Sequence, residues 1–168
     1  MTDHTNKQFD ADMEAIRTGV LAMGGLVEKQ LARAIAALEN EAADGVVDAV
    51  GADERQINQM QVHIDHLCSQ IIARRQPAAG DLRMVLTIVK ITNDLERIGD
   101  EVKKIAYKAT AAEGDKLVRV RFYDVVRAAG LAQRMLRMAL DAFARLDVAS
   151  AAEIVDSDDE LDAAFGGI

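Results

Sequence analysis

Apolar residues recur along most of this 168-residue chain at alternating steps of three and four. This spacing places them on one face of an α-helix, and no segment shows the period-two alternation of a half-buried strand. Pro77 is the single proline, and it should end one helix near Gln76 because the residue before a proline is pushed out of helical geometry. The pattern predicts an all-α fold, with helices over about residues 8–39, 45–73, 78–108, 117–146 and 148–165.

The first three predicted helices carry apolar stripes of matched phase joined by short connections, which is typical of an up–down–up three-helix bundle. The stripes are Phe9, Met13, Ile16, Val20, Met23, Val27, Ala34 and Leu38; Val46, Val50, Asp53, Ile57, Met60, Ile64, Leu67 and Ile71; and Met84, Ile88, Ile91, Leu95, Ile98, Val102 and Ile105. Gln30 is a polar interruption of the first stripe. Gly24 and Gly25 lie mid-helix, where glycine costs about 1 kcal/mol relative to alanine. We interpret them as a close approach of a neighbouring helix, in preference to a partner's contact surface.

The chain also repeats itself. At an offset of 105, Val20, Leu26, Leu31, Ile35 and Leu38 align with Val125, Leu131, Leu136, Leu140 and Phe143; at 104, Val50, Glu54 and Ile57 align with Ile154, Asp158 and Leu161. We therefore predict a first three-helix bundle at residues 1–108, a polar linker at 109–116 and a partial second repeat at 117–168, with helices 4 and 5 only. A counterpart of the third helix is expected beyond residue 168.

Composition narrows the classes of partner. The net charge of −8 and a pI near 4.9 disfavour a nucleic-acid backbone as the main partner. The first residues are polar, unlike a signal peptide, and no apolar run approaches the roughly 18–20 residues of a membrane span. Any membrane association is therefore expected to go through a protein partner.

The cysteine and histidine residues do not indicate a catalytic site. The single Cys68 excludes an internal disulfide, fits a reducing cytoplasm, and lies in an apolar stretch that favours a buried, inert thiol. His63 and His66 are three residues apart, but no third core ligand completes a site, so surface histidines are the favoured interpretation over a metal site. The chain has no phosphate-binding loop, nucleophile elbow or Glu-x-x-His motif.

The third predicted helix carries a pair of carboxylates. Glu96 and Asp100 are one turn apart on the same face, with Cβ atoms roughly 5–6 Å apart. Without a partner the two charges repel each other, whereas a hard cation or an arginine would make the pair favourable. The alternative is an exposed acidic spot with no ligand.

Three segments together resemble a known family: EAIRTGVLAMGGLVEKQLARAI, IIARRQPAAGDLR and ITNDLERIGDEVKKIA. They closely resemble the PhoU family of bacterial phosphate-signalling regulators, and the likeness covers nearly the whole chain. The resemblance implies a cytoplasmic, all-helical protein of two similar three-helix bundles. This chain would hold the first bundle and a second one that is incomplete at its C-terminal end.

The resemblance also implies a function. It predicts a non-enzymatic adaptor that restrains phosphate uptake and phosphate-starvation signalling, with a phosphate ABC transporter ATPase and a sensor histidine kinase as partners and a homodimer as the assembly. The family binds metal through E/D-x-x-x-D motifs, which Glu96 and Asp100 match, and oxygen ligands suit Fe, Mn or Mg. Glu54 and Asp158 are secondary metal candidates. The residues expected to shape the polar surface around the motif are Arg74, Arg75, Asp81, Arg83, Asp94 and Arg97.

Two rival functions remain at this point. One is a purely structural helical scaffold whose acidic residues are only solvated. The other is a di-metal oxidase or hydrolase, which would need metal ligands that the chain lacks. Whatever the function, two helices cannot enclose an apolar seam that three were patterned to close, so we expect residues 1–108 to form the stable unit and residues 117–168 to be loosely held or paired with another copy.

Overall fold

The computed structural model describes residues 2–39, 45–111, 116–156 and 162, and every regular element within them is an α-helix. The helices are α1 (Thr2–Glu39), α2 (Val46–Arg75), α3 (Ala79–Ala111), α4 (Lys116–Arg145) and α5 (Val148–Asp156). The prediction of an all-α fold is confirmed. Helix α2 ends just before the proline, as expected: Gln76 adopts a left-handed conformation (φ 47°), and its N–H donates to the carbonyl of Ile72.

Helices α1, α2 and α3 pack on one another as an antiparallel bundle. Near one end, the Arg75 guanidinium at the end of α2 binds the carboxylate of Asp12 near the start of α1, at 3.2 Å. Near the other end, the Gln30 side chain donates to the carbonyl of Val50 at 3.2 Å. Since the end of each helix meets the start of the other, the predicted up–down course of the chain is confirmed.

The core between these helices follows the predicted stripes of α1 and α2. Its fully or nearly fully buried side chains include Ile16, Val20, Met23, Val27, Ile57, Ile64, Cys68, Ile71, Val85, Ile88 and Leu95. Gln30 is completely buried among them, and its side-chain amide donates a hydrogen bond to the Val50 carbonyl. The apparent interruption of the first stripe is therefore a core residue.

Helix α3 presents to the core the predicted stripe and, beside it, the residues one position later. Ile88, Leu95 and Val102 are buried as expected, whereas Met84, Ile91, Ile98 and Ile105 are only half-buried. These four still pack against the core, and the residues one position later are buried beside them: Val85, Thr92, Gly99 and Ala106. Small side chains there allow close packing, and the buried Thr92 hydroxyl donates to the carbonyl of Ile88 at 2.7 Å.

Two acidic residues of α2 are also buried, and each one is neutralised. Asp53 lies in the predicted stripe and pairs with Arg33 of α1, with Lys29 at 3.9 Å. The neighbouring Glu54 pairs with Lys103 of α3 at 3.1 Å. Because a buried charge without a partner is costly, these pairs tie α2 to both of its neighbours.

Helix α4 lies antiparallel to α1. Arg137 binds the carboxylate of Glu28 at 2.8 Å, and Arg17 donates to the carbonyl of Ala144 near the end of α4. Two α4 side chains, Leu136 and Phe143, complete one side of the first core. Helix α1 is therefore shared between the three-helix bundle and the second half of the chain.

A tight turn joins α4 to α5. Asp147 caps α5, because its carboxylate accepts hydrogen bonds from the backbone N–H groups of Ala149 and Ser150, both at 3.1 Å. The hydrogen bonds from Ser150 and Ala149 lower the pKa of the Asp147 carboxyl. Helix α5 packs on α4, yet none of its residues from 148 to 156 is buried. No helix in the described residues has the length and apolar character needed to cross a membrane.

Candidate metal site between α2 and α3

The carboxylate pair lies on a polar face where α2 and α3 run antiparallel. Two hydrogen-bonded pairs link the helices across this face. Gln61 of α2 donates to Asn93 of α3 at 2.9 Å, and Lys103 of α3 binds Glu54 of α2 at 3.1 Å. The side chains between these two links, on both helices, must face each other along the groove.

Glu96 and Asp100 are the α3 residues between the links. They follow Asn93 at steps of three and four and precede Lys103 by a further step of three, so all four side chains share one stripe. Both carboxylates are half-buried. Neither accepts a hydrogen bond or forms an ion pair within the part of the chain that the structure describes. The predicted pair therefore exists as a juxtaposition of two acids whose oxygens are not committed to a protein cation.

The facing residue of α2 is Asn58, between Glu54 and Gln61. Its amide N–H donates to the Glu54 carboxylate at 2.8 Å, and its Oδ1 is buried without a hydrogen-bond partner. A turn or two further along α2, Asp65 also has a buried, unpartnered Oδ1. The donors on this face, from Gln61, Asn58 and Lys103, are already bound, and two buried acceptor oxygens on α2 are left without one. Free acceptor oxygens are the chemistry that a hard cation complements.

Glu54, predicted as a secondary metal ligand, lies beside Glu96 and Asp100, but its carboxylate is already bound by other side chains. It accepts from both Lys103 and Asn58, and its side chain is only 11% exposed. Across the described residues, no three Asp, Glu, His or Cys side chains come together closely enough to enclose a metal ion. The face as it stands offers two carboxylates from one helix, with a third acid held by a lysine.

The next turn of α3 carries a solvent-exposed pair. Lys104 donates to Glu101 at 2.7 Å. This hydrogen bond is the main reason why the pKa of Lys104 is raised; the charges of Glu101 and Asp100 act in the same direction, against a small opposing effect of desolvation. Asp100 therefore feels a nearby ammonium without binding it.

The other predicted polar residues lie elsewhere. Arg74, Arg75, Asp81 and Arg83 are at the turn between α2 and α3, and Arg83 is about 20 Å along α3 from Glu96 at 1.5 Å per residue. Arg75 is tied to α1, while Arg83 donates to the backbone carbonyl four residues earlier, at 3.4 Å.

Two more members of the predicted surface, Asp94 and Arg97, are exposed on α3, and Arg97 borders a cavity of about 390 Å³ between α3 and α4. Asp158 lies outside the described residues.

Cys68 and the two histidines do not extend this site. Cys68 is 1% exposed, and burial raises the pKa of its thiol to about 11, helped by the charge of Asp65. The predicted burial of Cys68 is confirmed, and its low reactivity stays a prediction. His63 and His66 are exposed on α2, and His66 pairs with Gln70 of its own helix, N to N at 2.6 Å.

Sequence reasoning missed Asn58 and Lys103, which frame the carboxylate pair. Both follow from helical spacing, because Asn58 is one turn from Glu54 and Lys103 is one turn from Asp100. What the sequence lacked was the register between α2 and α3, and that register depends on packing across the core.

Comparison with known proteins identifies the family. The family model of the PhoU domain matches residues 20–109 and again residues 125–168. The chain belongs to the PhoU family. The two matches begin 105 residues apart, which is the offset of the internal repeat, so PhoU domain sequence recurs within this one chain.

Individual PhoU proteins agree with this assignment. A phosphate-specific transport system accessory protein PhoU homolog of Pseudomonas putida is 47% identical over 165 residues, covering 96% of this chain and 63% of the relative. The accessory protein PhoU of Escherichia coli is 39% identical over 171 residues, covering 100% and 69%. The crystal structure of PhoU from Pseudomonas aeruginosa superposes with a TM-score of 0.86 at 41% identity, covering 95% of this chain and 76% of that one. The chain spans about two-thirds of the length of the curated relatives it matches.

Proposed function

We propose that this protein is a negative regulator of phosphate uptake and phosphate-starvation signalling. In this proposal it acts in the cytoplasm as a non-enzymatic adaptor between the ATPase of a phosphate ABC transporter and a phosphate sensor histidine kinase. It reaches the membrane only through these partners, does not act on nucleic acid, and works as a homodimer.

One observation carries the proposal: similarity to proteins named phosphate-specific transport system accessory protein PhoU extends over 96–100% of this chain. The fold supports an adaptor role, because long antiparallel helices with charged outer faces offer extended surfaces and leave the core to hold the shape. The relatives' names support the link to phosphate transport.

We further propose that Glu96 and Asp100 bind a divalent or trivalent cation such as Fe, Mn or Mg. Among the described residues no protein cation pairs with these two half-buried carboxylates, and acceptor oxygens of α2 lie across from them. An ion there would relieve the repulsion between the two acids. Glu54 would join as a third ligand only by releasing Lys103, whose long side chain is partly exposed and can turn to solvent.

A structural scaffold without metal is the second candidate. It is favoured by the state of Glu54, which is already neutralised by Lys103 and Asn58. Metal analysis of protein purified without added chelator separates the two candidates. Stoichiometric metal supports the proposed site, and its absence after incubation with each ion supports the scaffold.

The regulatory proposal is tested in two ways. Deletion of the gene in its own host should raise expression of a phosphate-regulon reporter in phosphate-rich medium, and re-expression should restore repression. Pull-down with this chain as bait should recover the transporter ATPase and the sensor kinase. A reporter that stays repressed after deletion would rule out a negative regulator.

A further inference from the structure

Lys103 of α3 supplies a positive charge to the polar face between α2 and α3. Its ammonium binds Oε2 of Glu54 at 3.1 Å, while Oε1 of Glu54 accepts a hydrogen bond from Asn58 at 2.8 Å. The Glu54 side chain is 11% exposed and the Lys103 side chain 35%. The acid is therefore held within the face by Asn58, and the lysine reaches it from the solvent side.

The two partners of Glu54 differ in how easily they can be exchanged. Asn58 lies one turn from Glu54 on the same helix, so its hydrogen bond survives any change that leaves α2 intact. Lys103 carries a compact, strongly hydrated charge on a flexible stem, and the stem can lie along the protein surface while the ammonium returns to water. Another small cation can take its place, because a nearly buried carboxylate needs a positive charge beside it but not this particular one.

Lys103 also belongs to the stripe of the carboxylate pair. It lies three residues after Asp100, which itself follows Glu96 by four, so the three side chains leave α3 on the same side. Across the part of the chain that the structure describes, no three Asp, Glu, His or Cys side chains are close enough together to hold an ion. Glu54, the third acid of this face, has one oxygen bound by Asn58 and the other by Lys103. The lysine thus holds the oxygen that a metal ion would need.

We propose that Lys103 is an internal counter-ion that regulates this metal site. In the metal-free protein its ammonium neutralises Glu54; when Glu96 and Asp100 bind a divalent cation, Lys103 leaves for solvent and Oε2 of Glu54 becomes available as a third ligand. The inference rests on the metal site of the proposed function and names how that site is regulated. Because linkage is reciprocal, the lysine weakens metal binding by the same factor by which bound metal favours release of the lysine. The position of one ammonium on α3 then depends on whether metal is bound.

Amine labelling of the wild-type chain, with Mn²⁺ as the probe, tests the inference. An acylating reagent modifies a lysine held by a carboxylate slowly and a lysine free in solvent quickly, and peptide mass spectrometry reads each site separately. We expect Mn²⁺ to raise the labelling rate of Lys103 several-fold. Lys29 is the matched control, because it also pairs with a nearly buried acid, Asp53 at 3.9 Å, but reaches it from α1. The labelling rate of Lys29 should not change.

Three variants separate release of the lysine from a general effect of the ion. Glu54→Gln removes the charge that holds Lys103, so the lysine should label quickly before Mn²⁺ is added and no faster afterwards. Lys103→Met should bind Mn²⁺ about tenfold more tightly than the wild type, as expected for a lysine that is in place about nine-tenths of the time. Lys103→Arg keeps the charge and should bind Mn²⁺ no more tightly than the wild type. Titration calorimetry measures these affinities.

The outcomes keep this inference apart from the proposed metal site. If the wild-type protein binds Mn²⁺ while Lys103 keeps its metal-free labelling rate, the metal site stands and the counter-ion role is overturned. An equal rise in the labelling of Lys29 overturns that role as well. Binding of Mn²⁺ to Lys103→Met alone supports both, because the lysine then excludes the ion. Absence of binding in both proteins overturns both, and the reporter experiment on phosphate regulation is independent of all these results.

Discussion

Gly24 of α1 lies directly against the side chain of Leu140 of α4. A Cβ atom placed on Gly24 would come within 2.3 Å of Cδ2, 2.8 Å of Cδ1 and 3.1 Å of Cγ of Leu140. Rotation about the Cβ–Cγ bond of Leu140 would move its two Cδ atoms but not Cγ, so a Cβ at position 24 would require a new χ1 rotamer of Leu140 or a shift of the helices. The distance between the two helices is thus set by the absence of a side chain at position 24.

This contact predicts opposite effects for two adjacent glycines. Gly24→Ala should lower the free energy of unfolding by about 1–3 kcal/mol through overpacking between α1 and α4. Gly25→Ala meets no atom within 4 Å and should raise it by up to about 1 kcal/mol, the difference in helix propensity. Urea unfolding followed by circular dichroism measures both. Combining Gly24→Ala with Leu140→Ala should recover part of the loss, and an equal response of the two glycines would contradict the contact.

The two adjacent glycines, Gly24 and Gly25, show how much of the helix packing could be predicted from the sequence. The mid-helix glycines predicted a close approach, and the structure confirms it for Gly24 but gives Gly25 no neighbour. Helical periodicity cannot separate the two, because adjacent residues differ by about 100° around the axis and only the position of α4 decides which one faces it.

A similar limit applies to α3. The stripe through Ile91 and Ile98 is the most apolar one available, yet these two residues are only half-buried against the core, whereas Thr92 and Gly99 are buried. Hydrophobicity alone ranks isoleucine above both. The structure prefers small residues at these points because they allow helix axes to come close; a Cβ on Gly99 would lie 3.2 Å from both Ile57 and Gln30.

Glu96 and Asp100 provide the test of metal binding. Replacing both with alanine should abolish bound metal and leave the helical circular dichroism intact, because neither side chain is bonded to the bundle. The control is Asp94→Ala with Glu101→Ala, which removes the same two residue types from the exposed face of the same helix. Mass-spectrometric metal analysis of the wild-type protein and the two double variants measures how much metal each one binds. Unchanged metal in the Glu96 and Asp100 variant would exclude this assignment.

Lys103 should link stability to metal affinity. Lys103→Met removes the cation from the largely buried Glu54, so the metal-free protein should lose about 1–3 kcal/mol of unfolding free energy. The freed carboxylate should also bind metal at the neighbouring pair more tightly, which calorimetric titration measures. Lys104→Met, next along the chain and 62% exposed, should leave the free energy of unfolding of the metal-free protein nearly unchanged. Loss of metal binding on removal of Lys103 would argue against Glu54 as a third ligand.

The Cys68 thiol predicts a response to alkaline pH. The folded state holds the thiol proton up to about pH 11, whereas an unfolded cysteine loses it near pH 8.5. The unfolded state therefore binds fewer protons between these values, and the free energy of unfolding should fall as pH rises through that range. Cys68→Ala should flatten this part of the profile. At pH 8 the native thiol should resist iodoacetamide and react on addition of urea; rapid native alkylation would contradict its burial.

Protection against hydrogen exchange should differ along the chain. The first bundle buries long apolar side chains from all three helices. Among the side chains described in α4, at residues 123–145, only Ala128 and Ala142 are buried apolar residues, and α5 has none from 148 to 156. We expect strong protection in residues 1–108 and weaker protection in 117–168 for a dilute monomer. Equal protection in both halves would show that the second half closes as tightly as the first.

The sharing of α1 between both halves has a consequence for how the chain folds. Helices α1, α2 and α3 follow one another directly, so their contacts close short loops and form fast. Synthesis proceeds at about 5–20 residues per second, and the bundle is complete once Ala111 has left the ribosome. The α1 surface around Gly24 is then already rigid when α4 emerges, and α4 docks on the folded bundle of α1, α2 and α3. We expect this docking to be the slow phase of refolding, and Leu140→Ala to alter its rate while the fast phase stays unchanged.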